Sequence, residues 1–414
     1  MRIAYVIPTQ TPTTFIYNEM IEVQEAGHDL VIVPLRSSPS SSESPSTISQ
    51  RIFNRLRPVK TFSASLFDAA IVWISLFMLL RYPIRVFRTL LSLHCAAGLN
   101  PFAHAGILVV TPKALAMAYR LRRYGVDHIH AHFAAHAATC AGIAGSVSRI
   151  PFSFTAHAYD IYCTAISLRN DTLGWKLRHA AQVFTISEHG KKLLCANLPS
   201  TACGHVHKVF VGIPMDMFQE QPPPLIDDHG LRLLCVTRFD TKKGLDTLVD
   251  ACAILRNQSV AFQLQIYGEG PLRESLARQI ARLNLKQYVQ LGQSISQEVV
   301  AKELAACHMF VMPCRRDPET GDIDGIPTVF MEAMATGRPV ISCPVAGVSE
   351  LVRDGETGLL VPSDNPDALA EAIIRLEGDD SLRIRLGKQA RLLAEQQHNQ
   401  LTNVRQFLNL ITKR

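Results

Sequence analysis

Apolar and polar positions along the chain follow two periods that take turns. IAYVIP is a continuous apolar run of strand length, TFIYNEMIEVQEAGH carries its apolar residues at helical intervals, and DLVIVPL is a second run. Thr13 or Thr14 can cap the helix, and Gly27 can close it in the left-handed region. Residues 37–47, SSPSSSESPST, read as a low-complexity loop. DHIHAHF, FSFTAH, QVFTIS and HVHKVFVGI continue as short buried strands separated by helical stretches. The composition breaks at QEQPPPLIDDHG, where three consecutive prolines make a stiff connector. The rhythm restarts with LRLLCVTRF, a helix over 245–256, FQLQIYG, a helix over 271–283, YVQLG, a helix over 297–307, HMFVMP, and, after one more helix, PVISC.

Two runs of alternating β and α predict an α/β protein of two doubly wound, Rossmann-like domains, with ligands bound outside the carboxyl ends of the strands. The expected boundaries are 1–218 for the first domain, 219–230 for the linker, 231–392 for the second domain and 393–414 for a C-terminal helix packing back on the first. A length of 414 residues suits two domains, and 47% hydrophobic residues suffice for two cores.

Charge adds one local feature. The chain carries a net +6, yet residues 51–123 alone hold 11 Lys/Arg against the single acid Asp68. Within that segment AAIVWISLFMLL is twelve apolar or small residues, short of the ~20 needed to span a bilayer. It reads either as a buried core helix or as an interfacial patch against an anionic membrane. The start MRIAYVIPTQ lacks signal-peptide architecture, and the ten cysteines show no C-x-x-C pair. A reducing cytoplasm, with the cysteines as small core residues, is the expectation.

Candidate chemistry concentrates in the second half. In CRRDPETGDIDGIPTVFMEAMATG, Asp324 ends a polar loop, Pro327 occupies the first position of a helix, and Glu332 lies about a turn and a half in. A helix N-terminus attracts an anion such as a phosphate, and carboxylates beside it accept from ligand hydroxyls, so the stretch suits a nucleotide-sugar. The plainer reading makes Asp324 a helix cap and Glu332 a solvated residue. In TRFDTKKGLDTLVDA, Arg238 and Lys243 leave another strand's carboxyl end, where they can meet a diphosphate, and Gly244 lets the next helix start close to it.

These motifs, with YGEGP at 267–271 and the run to GVSELVRDGETGLLVP, resemble the donor domain of retaining glycosyltransferases of family 4, which have the GT-B fold. FSFTAHAYDIY, FTISEHGKKLL and KVFVGIPMDMF resemble the family's first domain, and GDIDGIP with FTAHAYDIY is most similar to the colanic-acid, exopolysaccharide-building branch. The resemblance implies two domains facing across a cleft. It implies that Arg238 and Lys243 neutralise the diphosphate, that Glu332 holds the ribose, and that Asp324, at a position usually held by Glu, contacts sugar hydroxyls. Gly325, Ile326, Pro327 and Thr328 face the sugar and phosphate, Pro327 without an N–H to give. Gly268 and Glu269 line the nucleotide pocket, and His157 reaches the donor from the opposite domain. The donor implied is a UDP-, GDP- or ADP-sugar with no cofactor required. The acceptor implied is a saccharide, free or on polyprenyl diphosphate, at the cytoplasmic face of the inner membrane; no nucleic acid partner is expected.

The first loop, PTQTPTTF, lacks the glycine pair common in the family, which leaves the acceptor open. Asn18 and Glu19 after it read as surface helix residues or substrate contacts. His130 and His132 have a zinc-like spacing but no third ligand near them in sequence, so no metal is expected. The rival readings are a nucleotide-sugar 2-epimerase on the same fold and a nucleotide-sugar-binding protein without catalysis. A dehydrogenase is disfavoured because no G-x-G-x-x-G follows the first strand.

Overall fold

The structure is a computed structural model that describes residues 1–9, 13–36, 56, 60–61, 69–162, 172–226 and 230–413. The 37–47 loop, Asp68 and residues 10–12 of the first loop lie outside the described residues. The chain divides into two units, Met1–Phe210 with Leu401–Arg414, and Val211–Gln400.

The first unit starts β1 (Arg2–Thr9), α1 (Thr14–Glu25), β2 (Asp29–Arg36) and β3 (Lys60–Thr61). Three helices follow, α2 (Ala69–Arg81), α3 (Pro83–Ala96) and α4 (Pro101–Arg123), and then β4 (His128–His132) and α5 (His136–Ser148). The remainder is β5 (Phe152–Ala156), α6 (Tyr159–Tyr162), α7 (Leu173–His179), β6 (Gln182–Thr185), α8 (Glu188–Ala196) and β7 (Val206–Lys208). The seven strands are parallel in the order β3-β2-β1-β4-β5-β6-β7, which reverses direction between β1 and β4. Burial on both faces explains the unbroken apolar run of β1, whose residues Ile3 to Ile7 are all buried.

The second unit runs β8 (Leu231–Val236), α9 (Leu245–Asn257), β9 (Phe262–Tyr267), α10 (Arg273–Arg282), β10 (Val289–Leu291) and α11 (Gln297–Ala306). It continues β11 (Met309–Val311), α12 (Thr328–Ala335), β12 (Val340–Ser342), α13 (Val348–Leu351), β13 (Gly358–Leu360), α14 (Pro366–Gly378) and α15 (Asp380–Gln397). Its six parallel strands, β10-β9-β8-β11-β12-β13, reverse between β8 and β11. Both sheets therefore have the Rossmann strand order, with a switch point where ligands bind outside the strand ends.

Four details differ from the expectation. The division falls at 210/211 rather than 218, and the return to the first unit at 401 rather than 393. The returning helix α16 (Gln400–Thr412) places Val404, Phe407, Leu408 and Ile411 in one core with Ile3, Tyr5 and Ile7. The described part of the 219–230 connector is pinned to the second unit. Arg338, buried, donates to the Gln221 and Pro222 carbonyls, both at 3.2 Å, and Arg391 donates to the Phe218 carbonyl at 2.7 Å. Finally, Cys195 and Cys203 form a disulfide pair, with Cα atoms 5.6 Å apart, where unpaired cysteines were expected.

Candidate functional site

In the second unit, three loops leave the carboxyl ends of β8, β9 and β11. The loop after β8 makes one 3-10 turn, Thr241–Lys243, and ends at Gly244 with φ 62°. A Cβ at Gly244 would collide with the Pro313 carbonyl, so glycine here is a packing requirement that brings Lys243 against the loop after β11.

Lys243 is buried, and its Nζ lies 2.5 Å from Asp324 Oδ2. Lys242 Nζ lies 2.8 Å from Asp322 Oδ2 and 3.3 Å from Asp324 Oδ1. Burial by itself would raise the Asp324 carboxyl; Lys243 and Lys242 outweigh it and hold the group below its usual range. Burial would likewise lower Lys242, and Asp324 and Asp322 outweigh it and raise the ammonium. The expectation placed Lys243 free for a diphosphate and Asp324 free for a sugar. In the structure they bind each other, since two charges leaving water together need mutual neutralisation. Lys242 and Asp322, which sequence reasoning passed over, complete the network; the paired spellings TKKG and GDIDG were the available signal.

Arg238 differs from the lysines. Its side chain is 79% exposed and, among the described residues, bonded only to Asp240, at 2.5 Å, so it can pivot onto a ligand without vacating a buried site. The loop after β9 holds it in place: Phe239 N–H donates to the Glu269 carbonyl at 2.8 Å, and Thr237 N–H to the Tyr267 carbonyl at 2.9 Å. Gly268 has φ 148°, and a Cβ there would collide with the Thr237 carbonyl. Gly268 thus serves loop-on-loop packing, while the Glu269 side chain faces solvent.

Helix α12 starts at Thr328 with Pro327 as its N-cap residue, one position later than expected. The N–H groups of Gly325, Ile326 and Thr328 have no hydrogen-bond partner among the described residues. They form an anion-ready terminus. Glu332 is buried rather than solvated, and accepts from Gln297 Nε2 of α11 at 3.1 Å. Burial pushes its carboxyl up from 4.5 to about 7, with the Gln297 hydrogen bond opposing. Asp324 and Glu332 flank the turn but share no partner among the described residues; Glu332 stands apart from the lysine network.

In the first unit, His157 follows β5. It is buried, and its Nε2 lies 3.1 Å from His132 Nδ1 of β4. His132 Nε2 lies 3.4 Å from Glu19 Oε1, which also accepts from the Tyr5 hydroxyl at 2.9 Å. Burial, then the neighbouring His132, lowers His157 well below its usual value, so it is a neutral imidazole. Asp160 ties the loops after β4 and β5 together, accepting from the N–H groups of Ala134 at 2.6 Å, His157 at 3.0 Å and Ala158 at 2.9 Å. The surface reading of α1 is corrected here, because Asn18 is buried and Glu19 joins the histidines.

Glu19 is also the third group that sequence spacing did not supply: with His130 and His132 its ligand atoms fall within 4.8 Å of one another. As metal ligands the three fit poorly. Both His130 nitrogens already face hydroxyls, Ser153 at 2.8 Å and Thr155 at 3.1 Å, and His132 Nδ1 faces His157. A cavity of about 540 Å³ opens at this sheet's carboxyl edge, lined mainly by apolar groups, with Thr9, Arg36, His136 and Asp160 among its polar members.

Residues 216–393 match the family described as glycosyl transferases group 1. The chain is 34% identical over 183 residues to the amylovoran biosynthesis glycosyltransferase AmsK of Erwinia amylovora, covering 44% of this chain and 45% of that one. It is 34% identical over 205 residues to the putative colanic acid biosynthesis glycosyltransferase WcaL of Escherichia coli K12, 49% of each. The matched stretches thus span about half the length of these curated relatives. The solved structure of Anabaena HepE in complex with UDP superposes with a TM-score of 0.76 at 17% identity, covering 100% of both chains.

Proposed function

We propose that this chain, whose second unit carries the group 1 glycosyltransferase domain, is a retaining enzyme of family 4. It moves a sugar from a nucleoside diphosphate onto a saccharide acceptor in exopolysaccharide synthesis. The observation that carries the reading is the carboxyl edge of the second sheet. There a pivoting guanidinium, Arg238, a buried ammonium, Lys243, and an unpartnered helix N-terminus accompany a buried carboxyl, Glu332. That set suits a diphosphate joined to hydroxyl-rich groups.

In the proposed reaction the bond between the anomeric carbon and the diphosphate oxygen breaks. The acceptor oxygen bonds to that carbon on the same face, and the departing phosphate oxygen takes the acceptor's proton. Arg238 turns from Asp240 to the diphosphate. Lys243 shares its charge between Asp324 and the phosphate, stabilising the charge that develops on the leaving group. Glu332 accepts from ribose hydroxyls, and Asp324 from those of the sugar. The acceptor is a saccharide on a lipid diphosphate, and the apolar cavity of the first unit is its proposed seat. The enzyme works in the cytoplasm at the inner face of the membrane.

The test is a transfer screen with UDP-, GDP- and ADP-sugars, using lipid-linked saccharide extract as acceptor. UDP-sugars come first, because the similar HepE structure holds UDP. Turnover of one donor that falls about 10²- to 10³-fold in Arg238→Ala supports the assignment. Formation of a 2-epimer instead, or no consumption of any donor, refutes it.

A further inference from the structure

Helix α2 is apolar on every side, yet among its residues only Ile71 and Met78 are buried. Trp73 is 71% exposed, Leu80 72% and Phe77 50%. On α3, Ile84, Phe87 and Leu91 repeat at helical spacing and are exposed in one stripe. The core-helix alternative for this stretch is therefore overturned.

The two helices meet at a bend of 102° around Tyr82. Three guanidiniums gather over that ring, Arg85 at 5.0 Å, Arg81 at 5.1 Å and Arg122 of α4 at 5.5 Å from its centroid. None of the three has a carboxylate partner among the described residues, and Arg85 Nη1 is buried without a hydrogen bond. Residues 69–123 carry seven Lys/Arg and no Asp or Glu.

Three like charges around one phenol repel each other, and they call for an anion with several acceptor oxygens. A second copy of this chain is a poor occupant, because a two-fold interface would set one positive cluster against another. Neither helix pair nor α4 fits as a span. α2 is ~20 Å long, short of the ~30 Å core, and Ala114 to Ala118 of α4 are buried in the protein.

We infer that the α2–α3 elbow is a docking surface for an anionic phospholipid bilayer. Trp73, Phe77, Leu80, Ile84 and Phe87 enter the acyl boundary, and Arg81, Arg85 and Arg122 take lipid phosphates. The same α4 that presents Phe102 and Leu108 outward lines the first unit's cavity with Ala103, Gly106 and Ile107, so docking brings that cavity to a lipid-carried acceptor. This surface stands independently of the transferase reading; donor turnover is measured separately in the same preparations.

The chain holds two tryptophans, and Trp175 is buried, so Trp73 is a native reporter of insertion. The full chain is mixed with vesicles of phosphatidylglycerol and phosphatidylcholine, or of phosphatidylcholine alone. Expected are co-sedimentation and a blue shift of emission with the anionic vesicles, both weakening with salt. Partition falls about 100-fold in Arg81→Gln/Arg85→Gln/Arg122→Gln. Leu80→Ser, at an exposed position, weakens partition while circular dichroism stays native. Binding that ignores lipid charge, or that survives the triple variant, overturns the inference. So does a dimer that quenches Trp73 exposure without any vesicle binding.

Discussion

Glu332 can change charge at neutral pH, because burial raises its carboxyl to about 7. A carboxyl raised on folding contributes stability that is full below its unfolded value of 4.5 and is lost as pH rises through about 7. The loss is on the order of 3 kcal/mol by the alkaline side, and Glu332→Gln should abolish that slope in urea titrations run across this range. Ligand hydroxyls favour the carboxylate, so nucleotide affinity is expected to rise through about pH 7 with release of a proton. Calorimetry in buffers of different ionisation enthalpy detects that proton, and an unchanged signal in Glu332→Gln would sink the ribose-holding role. Arg238 and Lys243 looked equivalent as a basic pair in a loop, and their environments separate them. Arg238→Ala, at an exposed site, should move stability by no more than about 0.5 kcal/mol. Lys243→Ala leaves the buried Asp324 with Lys242 alone and should cost on the order of 3 kcal/mol by chemical denaturation. Asp324 itself is held below its usual value, so its contribution is present at neutral pH and is lost as pH falls through the carboxylate range. The residue types at the site were legible in the sequence; the lysine–aspartate pairing was not, because its members lie 81 positions apart.

Elements were legible wherever period and punctuation agreed. The strand runs and the helices of the second unit appear close to the residues expected, because burial on one or both faces imposes the pattern that was read. Ends moved by a residue or two where capping geometry decided, as at Pro327. The YGEGP turn shows an element whose glycine is required by neighbouring backbone. Gly268→Ala forces a Cβ into the Thr237 carbonyl, at a φ that side chains rarely adopt. It should lower the melting temperature, cost about 3 kcal/mol or more and reduce donor turnover by displacing the Arg238 loop. Normal turnover with normal melting would contradict this account. α2 is the opposite case, since an all-round apolar helix has no polar face to show which side is covered.

At the scale of the whole chain, the two units differ in how they can be separated. Val211–Gln400 is continuous, with its own sheet and core, and should fold as a fragment with a cooperative thermal transition. The first unit needs its distant C-terminal segment. A fragment ending at Phe210 loses Val404, Phe407, Leu408 and Ile411 from the core around Ile3 and Tyr5, and should be unstable alone. Adding a peptide of residues 401–414 should rescue it, and Phe407→Ala in the full chain should cost about 3–5 kcal/mol. A stable 1–210 fragment would show that α16 is dispensable.

The sequence by itself determined the alternation that builds two parallel sheets, the placement of the motif loops at the carboxyl ends of strands and the chemical types gathered there. All of these follow from local periodicity and from the backbone rules that position loops at strand ends. Tertiary structure alone decided that Lys243 faces Asp324, that Glu332 is buried beside Gln297, that α16 completes a core begun at Ile3, and that Trp73 meets solvent. Those outcomes depend on which distant surfaces come together, and the free energy of a charge or an apolar face is set by what covers it, which no local pattern encodes.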